Sequence, residues 1–176
     1  MKTRISRYMC LLLRHKPEQG DLFIDEFGYT DIDDLVEAVR VKYPKFNKRL
    51  LKEIVAEDDK GRYGYDETGF KVRCVYGHSF EIKPGEAVKP PEVLYHGSAE
   101  KYADSIKRDG ILSKGRQFVH LTADYDLAVH TGARHGAPAV FTVSAAKANA
   151  AGHPFYHPND KIWLTDFVPV EFISKK

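Results

Sequence analysis

The apolar positions in the first half of the chain recur with the period of an α-helix in three places. The first predicted helix covers residues 4–14 and ends before Pro17. The second begins at Thr30, where Thr30 and Asp33 resemble a capping box, and the third follows Asn47. The positions that define them are Ile5, Tyr8, Met9, Leu12 and Leu13, then Ile32, Leu35, Val36 and Val39, then Leu50, Leu51, Ile54 and Val55.

Two short runs with the composition of β-strands follow these helices. They cover residues 63–65 and 70–75, and the turn-forming residues 66–69 between them predict a hairpin. Three helices followed by a hairpin are the element order of a winged helix. Periodicity alone is equally compatible with a generic small α+β domain. A winged helix would place Lys48, Arg49 and Lys52 on the outer face of its third helix, where they could contact phosphates. Such a run can equally be a solvated helix face.

Strands dominate the second half of the chain. Two helices are predicted over residues 101–108 and 124–131, and the predicted strands cover residues 93–96, 118–121, 139–143, 162–164 and 167–173. Three prolines and a glycine in residues 83–91 indicate a linker between the halves. We therefore predict an α+β protein with two domains, residues 1–88 and 89–176.

Composition narrows the classes of function. The 176 residues carry 27 Lys+Arg and 25 Asp+Glu, a net charge of only +2, so any nucleic-acid contact must be a local basic patch. Neither a signal peptide nor a membrane span is predicted, because no apolar run approaches about 18 residues. Cys10 and Cys74 lack the spacing of metal ligands and are expected to be small buried residues of a cytoplasmic protein.

Several motifs that identify large enzyme classes do not occur in the sequence. It has no Gly-x-Gly-x-x-Gly, no Walker loop, no Gly-x-Ser-x-Gly and no His-Glu-x-x-His. His130 and His135 do not have a metal-chelating helical spacing, and His153 and His157 are each followed by proline. We expect no metal ion.

Arginines and histidines instead lie next to one another or close to glycines. Guanidinium groups bind phosphates in a bidentate manner, and imidazoles can donate hydrogen bonds to phosphate or ribose oxygens. The joint pattern therefore indicates a site for a heavily phosphorylated ligand, although each residue alone could be an ordinary hydrogen-bonded side chain. The segments are Arg14-His15, Arg73 with Gly77-His78-Ser79, His96-Gly97-Ser98, His120-Leu121-Thr122 and Arg134-His135-Gly136.

These segments resemble those of the RNA 2′-phosphotransferase family, the Tpt1 and KptA enzymes, over nearly the whole chain. Six segments carry the resemblance in order: Leu13-Arg14-His15-Lys16-Pro17, Arg73-Cys74-Val75-Tyr76-Gly77-His78-Ser79, Leu94-Tyr95-His96-Gly97-Ser98, Val119-His120-Leu121-Thr122, Gly132-Ala133-Arg134-His135-Gly136 and Trp163-Leu164-Thr165. Three positions differ from the residues that are frequent in the family. Tyr76 stands where glutamine is frequent, Ser98 where threonine is frequent and Thr122 where serine is frequent. Only Tyr76 changes the chemistry, and it still offers a hydrogen-bond donor.

The resemblance implies an N-terminal winged-helix lobe that binds RNA and a C-terminal lobe with the ADP-ribosyltransferase fold that binds NAD⁺. It also implies a reaction on 2′-phosphorylated RNA, such as a tRNA splice junction. The 2′-phosphate attacks the ribose carbon of NAD⁺ that bears nicotinamide, and nicotinamide leaves. A ribose hydroxyl then attacks phosphorus, which releases RNA with a 2′-hydroxyl and ADP-ribose 1″,2″-cyclic phosphate.

The resemblance also assigns residues. Arg14, His15, Arg73 and Arg134 match the catalytic set, with Arg14 and His15 expected on the RNA 2′-phosphate, and Arg73 and Arg134 on that phosphate during transesterification. His15 is a candidate proton donor to the leaving oxygen. The expected NAD⁺-binding residues are Tyr95, His96, Gly97, Ser98, His120, Leu121 and Thr122. The expected RNA-binding residues are Lys16, Lys48, Arg49, Lys52, His78 and Ser79.

Two other classes of function stay open at the level of sequence. An ADP-ribosyltransferase that modifies a protein or a phosphorylated nucleic-acid end would share the NAD⁺ segments and would more often carry a glutamate, for which Glu171 in the last predicted strand is the nearest candidate. A winged-helix module that binds nucleic acid without catalysis would release no nicotinamide. Nothing in the sequence demands a partner chain, so a monomer is expected.

Overall fold

The computed structural model describes residues 1–175 and divides the chain into two compact units. The first unit is Met1–Pro84, and the second begins at Gly85. The boundary lies within the proline-rich segment 83–91. Both units mix helices and antiparallel strands, so the α+β class is confirmed.

The first unit contains three helices and one three-stranded antiparallel sheet. The helices are α1 (Lys2–Arg14), α2 (Ile32–Lys42) and α3 (Lys48–Ala56), and the strands are β1 (Thr30–Asp31), β2 (Tyr63–Tyr65) and β3 (Lys71–Cys74). A 3₁₀ turn, Pro17–Gly20, follows α1. Strand β3 is central, between β1 and β2, and it pairs Val72 with Thr30 and Arg73 with Gly64.

The sequence predicted the start of α3 correctly but misplaced the cap of α2. Asn47 precedes α3, and its side-chain oxygen accepts a hydrogen bond from the Leu50 N–H at 3.0 Å. At α2 the cap is Asp31, whose carboxylate accepts from the Asp33 N–H at 2.7 Å. Thr30 is not the cap because it is buried and paired in β1, a strand that the sequence analysis missed.

The core of the first unit comes from the apolar faces of the helices and from β3. The helical positions predicted to be apolar account for most of it, and Phe46 fills the turn between α2 and α3. The fully or nearly fully buried side chains include Ile5, Met9, Leu12, Leu13, Leu35, Val39, Phe46, Leu51, Val72 and Cys74.

Within residues 85–175, the second unit has three short α-helices and eight short strands. The helices are α4 (Ala103–Asp109), α5 (Tyr125–Ala133) and α6 (Ala145–Ala150). The strands are β4 (Leu94–Ala99), β5 (Ile111–Leu112), β6 (Val119–Leu121), β7 (Pro138–Val143), β8 (Phe155–Tyr156), β9 (Trp163–Thr165), β10 (Phe167–Val168) and β11 (Ile173–Lys175). They form antiparallel sheets in the orders β11-β7-β4, β6-β9-β8 and β10-β5.

The predicted strand over residues 167–173 is wrong as a single element. β10 ends at Val168, Pro169 follows, and a 3₁₀ turn at Val170–Phe172 precedes β11. Proline has no N–H for a strand ladder, which explains the interruption. Glu171 therefore lies exposed in this turn and not in a strand.

Helix ends and very short elements in the second unit also differ from prediction. The helix predicted over residues 101–108 begins with a 3₁₀ turn, Glu100–Tyr102, which precedes α4. The helix predicted over residues 124–131 begins one residue later, because Asp124 is the cap of α5 and not its first residue. β5, α6 and β8 were not predicted. In the part of the chain that the structure describes, no helix has the length and apolar character needed to cross a bilayer.

Candidate active site

Arg14 is the last residue of α1, and its guanidinium is held by the loop at Tyr76 and Gly77. The guanidinium carbon lies 4.8 Å from the centre of the Tyr76 ring, a cation–π contact. On Gly77, whose φ is +93°, a Cβ atom would lie 3.3 Å from that carbon. The Tyr76 hydroxyl donates a hydrogen bond to the Lys60 carbonyl at 3.1 Å, which fixes the ring. The unusual Tyr76 thus supports Arg14 directly.

Two guanidinium nitrogens of Arg14 are buried without an acceptor. Nε and Nη2 have no hydrogen-bond partner among the described residues. Buried donors of this kind are rare in native proteins, and a guanidinium donates best to anionic oxygens. Arg14 therefore has donors that suit a phosphate.

The residues around His78 are tied to the end of α1 by Ser79. Its backbone N–H donates to the Arg14 carbonyl at 2.9 Å, and its hydroxyl donates to the same carbonyl at 3.3 Å. The His15 Nδ1 lies 3.0 Å from this hydroxyl oxygen. Because the hydroxyl proton goes to the carbonyl, His15 Nδ1–H is the donor in this contact.

Arg73 lies in the central strand β3 and is anchored by the turn at residues 25–29. Its Nη1 donates to the Phe27 carbonyl at 2.9 Å, and its guanidinium carbon lies 4.5 Å from the Tyr29 ring centre. The Asp25 carboxylate holds this turn by accepting from the N–H groups of Phe27 and Tyr29. Nε of Arg73 is buried without a partner among the described residues. The sequence analysis missed Phe27 and Tyr29, whose local signals are the turn-forming residues Asp25 and Gly28.

His78 is a neutral imidazole that lies close to both arginines. It is 3% exposed, and burial lowers its pKa to about 4, with further lowering by the positive charges of Arg14, Arg73 and His15. Its Nε2 is buried without a partner among the described residues. The first unit thus brings together five predicted site residues, which we call the arginine cluster: Arg14, His15, Arg73, His78 and Ser79.

The other predicted RNA-binding residues of the first unit are exposed basic side chains. Lys16 follows α1, and Lys48, Arg49 and Lys52 lie on α3. Lys48 forms an ion pair with Asp33, and Arg49 Nε forms one with Glu53 at 3.2 Å. These carboxylates partly neutralise the basic face of α3, which weakens its attraction for phosphate.

In the second unit the predicted NAD⁺-binding residues lie on two adjoining strands, β4 and β6, and on the residue after β6. Tyr95 and Thr122 join the strands by two backbone hydrogen bonds, of 2.7 and 3.0 Å. Tyr95 also packs edge-on against Tyr125, with ring centres 5.4 Å apart. Thr122 accepts a hydrogen bond from the Asp124 N–H, directly before α5. Leu121 is buried in the hydrophobic core.

His96 is fixed in one protonation state by its surroundings. Its Nδ1 lies 2.9 Å from the His120 carbonyl, which can only accept, so Nδ1 carries the proton. Burial lowers the pKa of His96, and the hydrogen bond to His120 opposes this only in part. The ring is therefore neutral at pH 7, and Nε2 carries a lone pair that can accept a hydrogen bond.

Gly97 is required by packing between α5 and β4. A Cβ atom at Gly97 would lie 1.9 Å from the Ala128 carbonyl oxygen, and one at Gly132 would lie 2.2 Å from the Ser98 carbonyl oxygen. These two glycines let the helix and strand backbones touch. The assignment of Gly97 to NAD⁺ binding stays a prediction, and the structure adds a packing role for this residue.

Arg134 belongs to the second unit, at the carboxyl end of α5, and its side chain is exposed. No group of three or more His, Cys, Asp or Glu side chains within residues 1–175 is arranged to hold a metal ion.

Comparison with known proteins identifies the family. A model of the RNA 2′-phosphotransferase, Tpt1/KptA family matches residues 1–167. This chain belongs to that family. It is 39% identical over 171 residues to the RNA 2′-phosphotransferase of Escherichia coli K12, covering 96% of this chain and 93% of that protein. It is 38% identical over 173 residues to a probable RNA 2′-phosphotransferase of Flavobacterium johnsoniae, with 98% and 95% coverage. A probable RNA 2′-phosphotransferase of Shigella boydii is 39% identical over 171 residues, with coverage of 96% and 93%.

Proposed function

We propose that this member of the RNA 2′-phosphotransferase family transfers an internal 2′-phosphate from RNA to NAD⁺. The products are RNA with a 2′-hydroxyl, nicotinamide and ADP-ribose 1″,2″-cyclic phosphate. The observation that carries the proposal is the pair of arginines, Arg14 and Arg73, whose buried nitrogens lack acceptors beside the neutral His78. An incoming phosphate monoester supplies anionic oxygens that satisfy such donors.

In the first step the RNA phosphate is itself the nucleophile. The second pKa of a phosphate monoester is about 6, so at neutral pH it is largely ionised and needs no general base. It needs to be positioned, and we assign this to Arg14 and His15. The rigid support of Arg14 by Tyr76 and Gly77 favours this role.

In the second step a ribose hydroxyl attacks phosphorus, and negative charge develops on the phosphoryl and departing RNA oxygens. We assign Arg73 and Arg134 to this charge, since fixed cationic donors lower the barrier where charge develops. His15 is the proposed proton donor to the departing oxygen, because its exposed imidazole lies beside Arg14.

We propose that residues of β4 and β6 hold NAD⁺, which supplies the electrophilic ribose carbon and a leaving nicotinamide. The fit rests on His96, whose Nε2 can accept from a ribose hydroxyl or an amide N–H. The hydroxyls of Ser98 and Thr122 and the His120 ring add donors or acceptors on the same two strands.

We also propose that the first unit is a winged helix that binds RNA. The order α1-β1-α2-α3-β2-β3, with β1 added to the β2-β3 hairpin, supports this interpretation. The exposed residues Lys16, Lys48, Arg49 and Lys52 and the arginine cluster are the proposed RNA contacts. For the second unit we propose an ADP-ribosyltransferase-like fold, consistent with its short antiparallel strands.

Incubation of the purified protein with NAD⁺ and a short RNA that carries one internal 2′-phosphate tests the function. We expect stoichiometric nicotinamide, dephosphorylated RNA and ADP-ribose 1″,2″-cyclic phosphate, identified by mass spectrometry. A stable ADP-ribosylated RNA or protein as the only product would support an ADP-ribosyltransferase instead. RNA binding without nicotinamide release would indicate a non-catalytic binding module.

Alanine substitutions test the roles of the arginines in the two steps. We expect Arg14→Ala and Arg134→Ala each to lower turnover by about 10²- to 10³-fold, the cost of removing one preorganised donor. If Arg134 acts mainly in the second step, its variant accumulates the ADP-ribosylated RNA intermediate. Arg40→Ala is the control, because this exposed arginine pairs with Glu37 on α2. Near-normal turnover of Arg14→Ala would contradict the proposed site.

A further inference from the structure

Cys10 and Cys74 face one another between α1 and β3. Their sulfur atoms are 3.9 Å apart and both thiols are free. Cys74 is buried, whereas Cys10 is only partly buried. The two residues are 64 positions apart, so the fold and not the local sequence brings them together.

The surroundings give the two thiols different acidities. The hydrogen bond from Cys74 lowers the pKa of Cys10 to about 6; burial opposes this, and Arg14, the Tyr63 hydroxyl and Arg62 add to the lowering. Burial raises the pKa of Cys74. At pH 7 the partly exposed Cys10 is thus the nucleophilic thiolate, with a protonated thiol beside it.

Both cysteines adjoin the proposed catalytic arginines. Cys10 lies one helical turn before Arg14 on α1, and Cys74 directly follows Arg73 on β3. Burial lowers the pKa of Arg14, but the negative charge of the cysteine pair opposes this and helps to raise that pKa above its usual value. A covalent change at this pair would therefore act on both arginines.

We propose that Cys10 and Cys74 form a redox pair that hydrogen peroxide oxidises to a disulfide. The Cys10 thiolate attacks one peroxide oxygen, the O–O bond breaks, and the departing hydroxide takes up a proton to give water. The Cys10 sulfenic acid is then attacked by the Cys74 sulfur, so that the S–S bond forms and the S–O bond breaks with release of a second water. Two thiols are oxidised and one peroxide is reduced.

Disulfide formation changes the packing between α1 and β3, the elements that carry Arg14 and Arg73. The sulfur atoms must approach from 3.9 Å to about 2.05 Å, which shifts α1 against β3 or rotates both side chains. The thiolate charge near Arg14 is lost at the same time. We expect the disulfide form to transfer the 2′-phosphate about tenfold more slowly than the reduced form, or slower still. This expected loss of rate rests on the proposed function.

The chemistry is tested on the full chain without RNA or NAD⁺. We expect stoichiometric peroxide to remove both thiols, to lower the intact mass by about 2 Da and to yield a cross-linked peptide containing Cys10 and Cys74, all reversed by dithiothreitol. Cys74→Ser should stop at a sulfenic acid that dimedone traps on Cys10. In Cys10→Ser, the buried Cys74 should stay reduced. Survival of both thiols in the wild type, or added oxygen without a cross-link, overturns the redox pair.

Activity is then compared between the reduced and the disulfide forms. We expect transfer to fall on oxidation and to return with dithiothreitol, whereas the transfer rate of Cys10→Ser, whatever its value without peroxide, should not change when peroxide is added. Undiminished transfer by the disulfide form overturns the link to Arg14 and Arg73. Absence of transfer by the reduced protein contradicts the proposed function alone, since the disulfide is measured without substrate.

Discussion

At the scale of single residues, the arginine cluster is held by close contacts that need particular neighbours. Arg14 stacks on Tyr76 and touches Gly77, while Arg73 uses a backbone carbonyl and the Tyr29 ring. Neither arginine relies on a carboxylate partner in these contacts. No carboxylate therefore neutralises either guanidinium group in these contacts, and the negative charge that acts on Arg14 comes from the cysteine pair.

Gly77→Ala tests the contact with Arg14. The new Cβ would lie 3.3 Å from the guanidinium and would also be strained by the positive φ. Gly69→Ala is a matched control, because Gly69 also has a positive φ, +73°, but a Cβ there meets nothing within 4 Å. We expect both variants to lose about 1 kcal/mol in the free energy of unfolding, and only Gly77→Ala to lose turnover, about tenfold or more. Equal turnover of the two variants would contradict the support role.

The buried His78 makes stability depend on pH. Its folded pKa of about 4 lies below the unfolded value of 6.5, so the unfolded chain binds the proton more tightly. Stability from neutral His78 is present above pH 6.5 and is lost as pH falls towards 4. Between pH 7 and pH 5 we expect wild type to lose about 2 kcal/mol more than His78→Gln, measured by urea unfolding with circular dichroism. If the free energy of unfolding falls equally with pH in the wild type and in His78→Gln, then His78 is not a neutral buried group.

At the scale of elements, the contact between α5 and β4 positions the strand that carries Tyr95, His96 and Ser98. Gly97→Ala would bring its Cβ to 1.9 Å from the Ala128 carbonyl, so the helix must move away from the strand. We expect a loss of about 3 kcal/mol or more in the free energy of unfolding, monitored by the fluorescence of Trp163, the single tryptophan. Gly115→Ala, where a Cβ meets nothing within 4 Å, should leave stability nearly unchanged. A similar effect of both changes would contradict the close packing.

The elements that the sequence predicted well are those specified by local signals. α3 begins after Asn47 because one side chain caps it, and the apolar face of α1 is buried as its periodicity predicts. β1 has only two residues and exists because it pairs with β3, about forty residues later, so no local pattern predicts it.

The candidate site was also predictable only in part, because some of its contacts join residues that are distant in the sequence. Arg14, His15, Arg73, His78 and Ser79 were all proposed from their motifs. The Phe27 carbonyl that anchors Arg73 has no side-chain signature, and the α5 contact that requires Gly97 is set by tertiary packing. The contact between Cys10 and Cys74 likewise arises only when α1 packs beside β3.

At the scale of the whole molecule, a net charge of +2 means that attraction for RNA must come from local groups. We expect the Lys48→Ala, Arg49→Ala, Lys52→Ala triple variant to reduce the slope of log affinity against log salt for single-stranded RNA by about 2. The triple alanine variant of Arg40, Lys42 and Lys45 changes net charge equally and is the control. Equal slopes for the two variants, measured by fluorescence anisotropy, would exclude a role of α3 in RNA binding.

The separate hydrophobic cores of the two units have a consequence for how the chain is degraded. One core draws its residues from positions 5–74 and the other from positions 94–168. Residues 85–89, between them, are exposed and belong to no helix or strand. Opening of one core leaves the other with its own contacts, so a half-folded chain can persist. A protease that cuts at residues 85–89 would then release the intact half as a resistant fragment.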